Sequence, residues 1–204
     1  MITSVLFDAD GVLQTPSDAW RLSLESLAPS ADKTEALLAD IFEVEKRCLT
    51  GELHFADVLP EVLERWGINR SPLDVLDIWT LIDPRHEILG LVEQVRLLNV
   101  HVGLATNQQQ HRAAYLVEVL GYDQLFDDLF ISCHVGHAKP SESYFKHIAA
   151  DLNRDPAELL FIDDHPQNVD AARQVGLNAE VYSLDSGVAG MTSILAKHGV
   201  SIDA

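Results

Sequence analysis

The sequence Val5-Leu6-Phe7-Asp8-Ala9-Asp10-Gly11 places two carboxylates directly after a short apolar run. An apolar run of this length predicts a buried strand. Side chains on a strand alternate between its two faces, so Asp8 and Asp10 are expected to project together from its carboxyl end. Two neighbouring carboxylates repel each other unless a cation compensates them, and oxygen ligands of this kind suit magnesium. The segment therefore predicts a metal-dependent site, with an acidic turn as the alternative.

Three further loops carry polar groups after predicted strands. Thr106 and Asn107 follow one strand, Lys139 lies in the loop after another, and Asp163 with Asp164 follows a third. In an open parallel sheet the carboxyl ends of the strands converge on one edge. We therefore expect these residues to join the two carboxylates of the first strand. A nucleophile, an acid–base group, a cation and hydrogen-bond donors are what phosphoryl transfer needs.

Each of these residues has a predicted role in phosphoryl transfer. Asp8 is the predicted nucleophile, which forms an aspartyl phosphate. Asp10 protonates the leaving oxygen and later deprotonates water. The Thr106 hydroxyl and the backbone N–H of Asn107 are the predicted donors to the phosphate. Lys139 adds a positive charge between the nucleophile and the phosphate, and so belongs to both the catalytic and the phosphate-binding residues.

The predicted magnesium ligands are Asp8, Asp10 and Asp163, with Asp164 reaching the ion through a water molecule. Octahedral magnesium usually keeps several waters, so few protein ligands are sufficient. His165 lies beside them in the sequence. We expect this histidine to be a hydrogen-bonded structural residue rather than a ligand of a transition metal.

From residue 84 onwards, segments typical of strands alternate with segments typical of helices. Strands are predicted at 100–105, 129–133, 159–162 and 179–182, and helices at about 88–98, 108–120, 141–152, 166–175 and 190–198. Such alternation indicates βαβ units with right-handed crossovers and a parallel sheet. Together with the first strand, this predicts an α/β fold whose five-stranded parallel sheet has helices on both faces.

Between the first strand and this alternating region, the apolar residues recur at helical spacing only. We expect residues 15–84 to form a small helical module without strands, inserted after the first strand. The predicted catalytic core then consists of residues 1–14 and 85–204. The aromatic residues of the module are expected to form its own core rather than a cofactor site.

The composition excludes several classes of partner. Acidic residues number 32 and basic residues 14, which gives a net charge of −18. Nucleic acid and anionic membranes are therefore not expected to bind, because binding to either depends on clustered Lys and Arg. The two cysteines form no redox or zinc motif, and neither a cleavable leader nor an apolar run long enough for a membrane span is evident. We expect a cytoplasmic protein.

Four segments resemble, in order and at similar spacing, the four sequence motifs of the haloacid dehalogenase superfamily. They are Asp8-Ala9-Asp10-Gly11-Val12, Leu104-Ala105-Thr106-Asn107, Lys139-Pro140 and Phe161-Ile162-Asp163-Asp164. The resemblance extends from residue 4 to about residue 183. It implies a Rossmann-like core, magnesium dependence and an aspartyl intermediate. The inserted helical module looks like the family's small helical cap, called type C1.

Differences between this sequence and several subgroups of the superfamily limit the reactions that we expect the protein to catalyse. The superfamily's dehalogenases replace the second aspartate of the first motif, so Asp10 points to phosphate chemistry. Phosphoglycolate phosphatases usually carry a carboxylate in the segment that follows the first motif. The corresponding segment here, Leu13-Gln14-Thr15-Pro16, lacks it. Beta-phosphoglucomutases share an Ala-Trp pair similar to Ala19-Trp20, but this chain lacks their histidine. Residues 47–53 resemble sugar-phosphate phosphatases and the N-terminal phosphatase domain of soluble epoxide hydrolases.

The sequence thus predicts a magnesium-dependent phosphatase that hydrolyses a small phosphorylated metabolite, such as a sugar phosphate, through an aspartyl phosphate. A phosphomutase similar to beta-phosphoglucomutase is the alternative among enzymes. A relative that uses the fold only for binding or regulation is the alternative outside enzymes. The presence of all four motifs disfavours that last alternative.

Overall fold

The computed structural model describes residues 1–202 and contains a five-stranded parallel sheet of order β5-β4-β1-β6-β7. The strands are β1 (Ser4–Phe7), β2 (Gln14–Pro16), β3 (Ile82–Pro84), β4 (His101–Thr106), β5 (Asp128–Ile131), β6 (Leu159–Asp163) and β7 (Asn178–Val181). The helices are α1 (Asp18–Glu25), α2 (Thr34–Lys46), α3 (Phe55–Arg65), α4 (Pro72–Leu76), α5 (His86–Leu97), α6 (Gln110–Glu118), α7 (Tyr122–Leu125), α8 (Ser132–Val135), α9 (Glu142–Asp151), α10 (Pro166–Gln174) and α11 (Gly187–Lys197). The predicted α/β fold with five parallel strands is confirmed.

The central strand β1 is buried on both faces, as its continuous apolar run predicts. Val5 and Phe7 belong to the apolar core that α5 and α11 cover. Leu6 points the other way, into the core that α9 and α10 cover. This alternation is the two-residue period of a strand. Because β4 and β6 flank β1 in register, the three strands end next to each other.

Residues 18–80 contain helices α1–α4, which surround a third apolar core of their own. Trp79 is fully buried there, and the ring of Phe55 packs edge-on against it at 5.0 Å. Phe55 and Trp79 are therefore core residues, as predicted, and Trp20 and Trp66 pack against this core, whereas Phe42 is 37% exposed. This separate core supports the proposed division into a catalytic core (1–14 and 85–204) and a helical cap (15–84). Residues 203 and 204 lie outside the described residues.

The prediction that residues 15–84 contain no strand is wrong. Strands β2 and β3 pair antiparallel, Gln14 with Pro84 and Pro16 with Ile82. They form the two connections between the core and the cap, which run side by side. Each strand has three residues and ends in proline, so neither shows the alternation that identifies a strand in a sequence.

Two further elements differ from the sequence prediction. The strand predicted at 129–133 is β5, which ends at Ile131 because its partner β4 ends at the opposite residue, Thr106. The chain then turns into the short helix α8 at Ser132. The predicted helix 108–120 begins at Gln110, since the side chain of Gln109 caps it by accepting hydrogen bonds from two backbone N–H groups.

Among the described residues, no helix has both the length and the apolar character needed to cross a bilayer.

Candidate active site

The predicted site residues meet at the carboxyl edge of the sheet. Asp8 follows β1, Thr106 ends β4 and Asp163 ends β6, while Lys139 enters from the loop between α8 and α9. A cavity of about 260 Å³ lies at this edge and is lined by Asp8, Asp10, Thr106, Asn107, Lys139, His165 and Asn168. A larger surface groove between α5 and α7 contains none of the predicted site residues.

Lys139 lies at the centre of the site, between two buried carboxylates. Its Nζ is 2.8 Å from Oδ1 of Asp8 and 2.7 Å from Oδ2 of Asp163. It also donates to the backbone carbonyl of Ala105 at 2.9 Å. All three ammonium hydrogens are thus engaged. Lys139 can therefore add positive charge at the cavity and orient Asp8, but none of its ammonium hydrogens is left for a further hydrogen bond.

One cation between two carboxylates leaves one negative charge uncompensated. Burial raises the pKa of Asp8, and the neighbouring Asp163 adds to this effect, while Lys139 opposes it. Burial also acts to raise the pKa of Asp163, but Lys139 and several hydrogen bonds lower it below its usual range. Burial lowers the pKa of Lys139, and the two carboxylates outweigh that effect and raise it. Lys139 therefore stays charged, and Asp8 is the carboxyl group whose ionised form these surroundings disfavour.

The loop that follows β6 holds Asp163 rigidly. Oδ1 of Asp163 accepts the backbone N–H of His165 at 2.7 Å, and the Asn168 side chain donates to both oxygens at 3.1 and 2.9 Å. Asn168 lies in the first turn of α10, which begins at Pro166. The helix thus starts by fixing the carboxylate that precedes it, and Asn168 is a residue that positions Asp163.

The carboxylate of Asp10 is held by three donors. Gln14 and Arg112 donate to Oδ1 at 3.0 and 2.7 Å, and Gln108 donates to Oδ2 at 3.0 Å. Gln14 is in turn fixed by the hydroxyl of Tyr122, which donates to its side-chain carbonyl at 2.9 Å. Sequence reasoning identified none of these donors. Binding of a metal ion by the Asp10 side chain would compete with these three hydrogen bonds.

Thr106 and Asn107 are oriented by neighbouring side chains. Oγ1 of Thr106 accepts a hydrogen bond from Gln108 at 3.0 Å, so its own proton is free for an acceptor in the cavity. The side chain of Asn107 clamps the Lys139 loop: it donates to the Lys139 carbonyl and accepts the Lys139 N–H, both at 2.9 Å. The side-chain amide is therefore committed, and the backbone N–H is the group left to bind a ligand.

The donor chemistry of the site fits a hard divalent cation. Asp8 lines the cavity with a buried carboxylate, and Asp163 lies fully buried beside Lys139. Ligand atoms of Asp163, Asp164 and His165 lie within 4.8 Å of one another. Nδ1 of His165 is 2.7 Å from Oδ1 of Asp164, and this hydrogen bond raises the pKa of the imidazole. His165 is thus a hydrogen-bonded partner of a carboxylate, consistent with a structural role.

Comparison with known families decides the classification. Residues 2–176 match the family model of the haloacid dehalogenase-like hydrolases. The chain belongs to this family. The match covers most of the chain and includes the strands that position the candidate site.

Two phosphatases are similar in sequence to this hydrolase over most of their own length. It is 25% identical to a phosphorylated carbohydrates phosphatase from Thermotoga maritima over 195 residues, which is 91% of this chain and 88% of that protein. It is 24% identical to the sesquiterpene phosphatase astK from Aspergillus oryzae over 176 residues, or 85% and 86% of the two chains. Other relatives are longer: the chain spans 11% of a drimenol cyclase from Aspergillus calidoustus.

Solved structures of the same fold cover nearly the whole hydrolase. A predicted HAD-like hydrolase from Porphyromonas gingivalis superposes with a TM-score of 0.80 at 22% identity and covers 96% of this chain and 98% of its own. A HAD family enzyme from Bacteroides thetaiotaomicron, solved with magnesium and inorganic phosphate, has a TM-score of 0.73 at 19% identity and covers 89% and 94%. These similarities establish the fold.

Gly11 allows the first and fourth motifs of the hydrolase to approach each other. Its φ is +80°, and a Cβ there would lie 2.3 Å from Oδ2 of Asp164. We expect Gly11→Ala to lower stability by about 1–3 kcal/mol and to lower turnover, because Asp164 must move. Gly199→Ala is the matched control, since its φ is +81° with no atom within 4 Å. Thermal melts should show a lower melting temperature for both variants. If Gly199→Ala also loses activity, displacement of Asp164 does not explain the loss in Gly11→Ala.

Glu45, on α2, brings a titratable group from the cap towards the site. Burial raises the pKa of Glu45 to about 7, although Arg112 and Trp79 favour the charged form and Asp10 disfavours it. Between the ordinary pKa of 4.5 and pH 7, the folded state therefore keeps a proton on Glu45 that the unfolded chain has released. The contribution of this group to stability falls as the pH rises across that range.

Glu45→Gln keeps the shape of this side chain and removes its titration. We expect the variant to gain about 1–3 kcal/mol of stability over the parent at pH 8 and little at pH 4.5. Chemical denaturation at the two pH values measures the difference. Glu43→Gln, at an exposed position of the same helix, is the control and should show no such dependence. An equal gain from both substitutions would overturn the assignment.

Proposed function

We propose that the hydrolase is a magnesium-dependent phosphatase that releases phosphate from a small phosphorylated metabolite through an aspartyl phosphate on Asp8. The observation that supports this most directly is the buried Lys139 between Asp8 and Asp163. A carboxylate beside a permanent cation, in a cavity that Thr106 and Asn107 also line, suits attack on an electrophile that is itself anionic.

In the first half of the proposed reaction, an oxygen of Asp8 attacks phosphorus and the bond to the leaving oxygen breaks. Asp10 gives its proton to that oxygen, so the substrate departs as a neutral alcohol. In the second half, Asp10 takes a proton from water, whose oxygen attacks the same phosphorus. The bond between Asp8 and phosphorus breaks, and inorganic phosphate and the free carboxylate result.

During both halves the phosphoryl oxygens need positive charge and donors around them. The Thr106 hydroxyl and the Asn107 N–H would donate hydrogen bonds, and Lys139 would supply charge. Asp8 and Asp163 would hold magnesium, which adds further positive charge at these oxygens. The magnesium and phosphate in the related Bacteroides thetaiotaomicron enzyme support this proposal. The uncompensated negative charge of the site supports it independently.

The lining of the cavity favours a hydrophilic substrate. All seven lining residues are polar or charged, and such groups are poorly satisfied by an apolar chain. A substrate with hydroxyl groups, such as a sugar phosphate, fits this surface better than a terpenyl phosphate. The similarity to a phosphatase of phosphorylated carbohydrates points the same way, whereas the similarity to a sesquiterpene phosphatase makes the terpenyl compound the necessary comparison.

The test is phosphate release from hexose phosphates, glycerol phosphate and farnesyl monophosphate, with magnesium and with EDTA. We expect magnesium-dependent release that is faster for the hydroxyl-bearing substrates. Conversion of a hexose phosphate to its isomer without release would establish a phosphomutase instead. Binding of the compounds without any turnover would contradict the enzymatic proposal.

A further inference from the structure

Arg112 is a buried cation close to the site that the reaction described above does not use. It lies in the first turns of α6, the helix that follows Thr106, and its side chain is only 12% exposed. Its Nη2 donates to Oδ1 of Asp10 at 2.7 Å. Its Nε is buried without a hydrogen-bond partner among residues 1–202. The hydrogen bond to Asp10 is the side-chain hydrogen bond that Arg112 makes within these residues, and Glu45 of the cap is a second acidic group near the guanidinium.

The three donors to Asp10 are not equivalent. Gln14 and Gln108 are neutral amides, and each is 2% exposed or less. Arg112 is charged, and hydrogen bonds to a charged group are about twice as strong as those between neutral groups. Without Arg112 the two amides would still retain the Asp10 side chain near its position. They would not hold the carboxylate against rotation with the same strength.

We propose that Arg112 is a positioning residue, which holds the Asp10 carboxylate in the orientation needed to protonate the leaving oxygen. The inference rests on the proposed function of Asp10 as the acid. Proton transfer requires the donor oxygen within hydrogen-bond reach of the leaving oxygen. A misplacement of about 1 Å can lower a rate by about 10²-fold. Arg112 would thus act on catalysis through Asp10 without touching the substrate.

The leaving group distinguishes positioning from a general structural role. Departure of an alkoxide from glycerol phosphate needs a proton, whereas p-nitrophenolate departs readily without one. The value of kcat/KM reports the steps up to departure of the leaving group, so it isolates the step in which Asp10 is the acid. A loss of Arg112 should therefore affect the two substrates unequally.

The experiment compares kcat/KM of the wild-type chain, Arg112→Gln and Arg112→Lys on glycerol phosphate and on p-nitrophenyl phosphate, with magnesium present. We expect Arg112→Gln to lose about 10- to 10²-fold on glycerol phosphate and less than about 3-fold on the aryl ester. Arg112→Lys, which keeps a cation, should recover part of the loss. Arg96→Gln removes another Arg–Asp pair, with Asp127, and should leave both values unchanged.

An equal loss on both substrates, or no loss on either, would overturn the role of Arg112. If Arg112→Gln does not fold, Arg112→Lys with the same two substrates decides the question. Failure of the proposed function itself would look different, because the wild-type chain would then release no phosphate from either ester.

Discussion

Replacement of Asp8 by Asn is expected to lower phosphate release by at least about 10⁴-fold, since the amide cannot form the covalent intermediate. Asn has the same shape as Asp, so the contact with Lys139 can persist. The substitution removes the uncompensated negative charge that burial makes unfavourable. Metal-free Asp8→Asn should therefore melt at a temperature equal to or above that of the parent at neutral pH. Loss of activity combined with retained stability would identify Asp8 as a residue of the catalytic machinery rather than a structural one.

Asp151→Asn is the matched control for this experiment, because Asp151 is an exposed carboxylate on α9. It should change neither turnover nor the melting temperature. Turnover within about tenfold of the parent in Asp8→Asn, after exclusion of deamidation back to Asp by mass spectrometry, would show that Asp8 is not the nucleophile.

Replacement of Lys139 by Met is expected to cost both stability and activity. The change leaves Asp8 and Asp163 buried without their cation, and removal of one partner of a buried ion pair costs about 3–5 kcal/mol. The phosphate also loses a charge that stabilises it in the transition state, which corresponds to a loss of about 10³-fold in kcat. Equilibrium unfolding and steady-state kinetics measure the two effects. Lys146→Met, whose cation is exposed in a pair with Glu142, should cost less than about 0.5 kcal/mol.

The pH dependence of this loss follows from the carboxylates. Without Lys139 the pKa of Asp8 rises further and the pKa of Asp163 is no longer held low, so the folded variant binds protons that its unfolded chain has released. Its stability therefore falls as pH rises above the ordinary carboxylate range and recovers as pH falls towards 4. Addition of Asp163→Asn should restore part of the stability at neutral pH without restoring activity. A deficit that is independent of pH would contradict the charge explanation.

The sheet and the edge at which the candidate site lies were predictable because both depend on local patterns. The buried strands are short apolar runs, and a helix of at least 9 residues connects each strand of the sheet to the next along the chain. Asp8, Thr106 and Asp163 come together because parallel strands present their carboxyl ends on one side. Lys139 joins them from the loop between α8 and α9, as the polar residues that follow the predicted strands had indicated.

The two connecting strands β2 and β3 and the short helices α7 and α8 were not predictable. Strands β2 and β3 contain no apolar run, and the four-residue helices are too short to show a helical period. Their conformation depends on tertiary contacts instead. The capping contacts of Gln109 likewise decide the start of α6, where the apolar pattern alone places it two residues too early.

The surroundings of Asp10 show why the site was only partly predictable. Arg112 lies 102 positions from Asp10 in the chain, on a helix where an arginine usually faces solvent. Gln14 and Gln108 carry no charge that would mark them as partners of a carboxylate. Only the three-dimensional arrangement identifies these donors. The contact between the Asn107 side chain and the Lys139 loop could likewise not be predicted from residue types.

The most direct test of the proposed mechanism is to stop the reaction with acid during turnover and to locate any phosphoryl group on the protein by peptide mass spectrometry. We expect a magnesium-dependent, hydroxylamine-sensitive phosphoryl group on the peptide that contains Asp8, and none in Asp8→Asn. Phosphate release in the same time without a protein-bound phosphoryl group, or with one on another residue, would contradict the covalent role of Asp8.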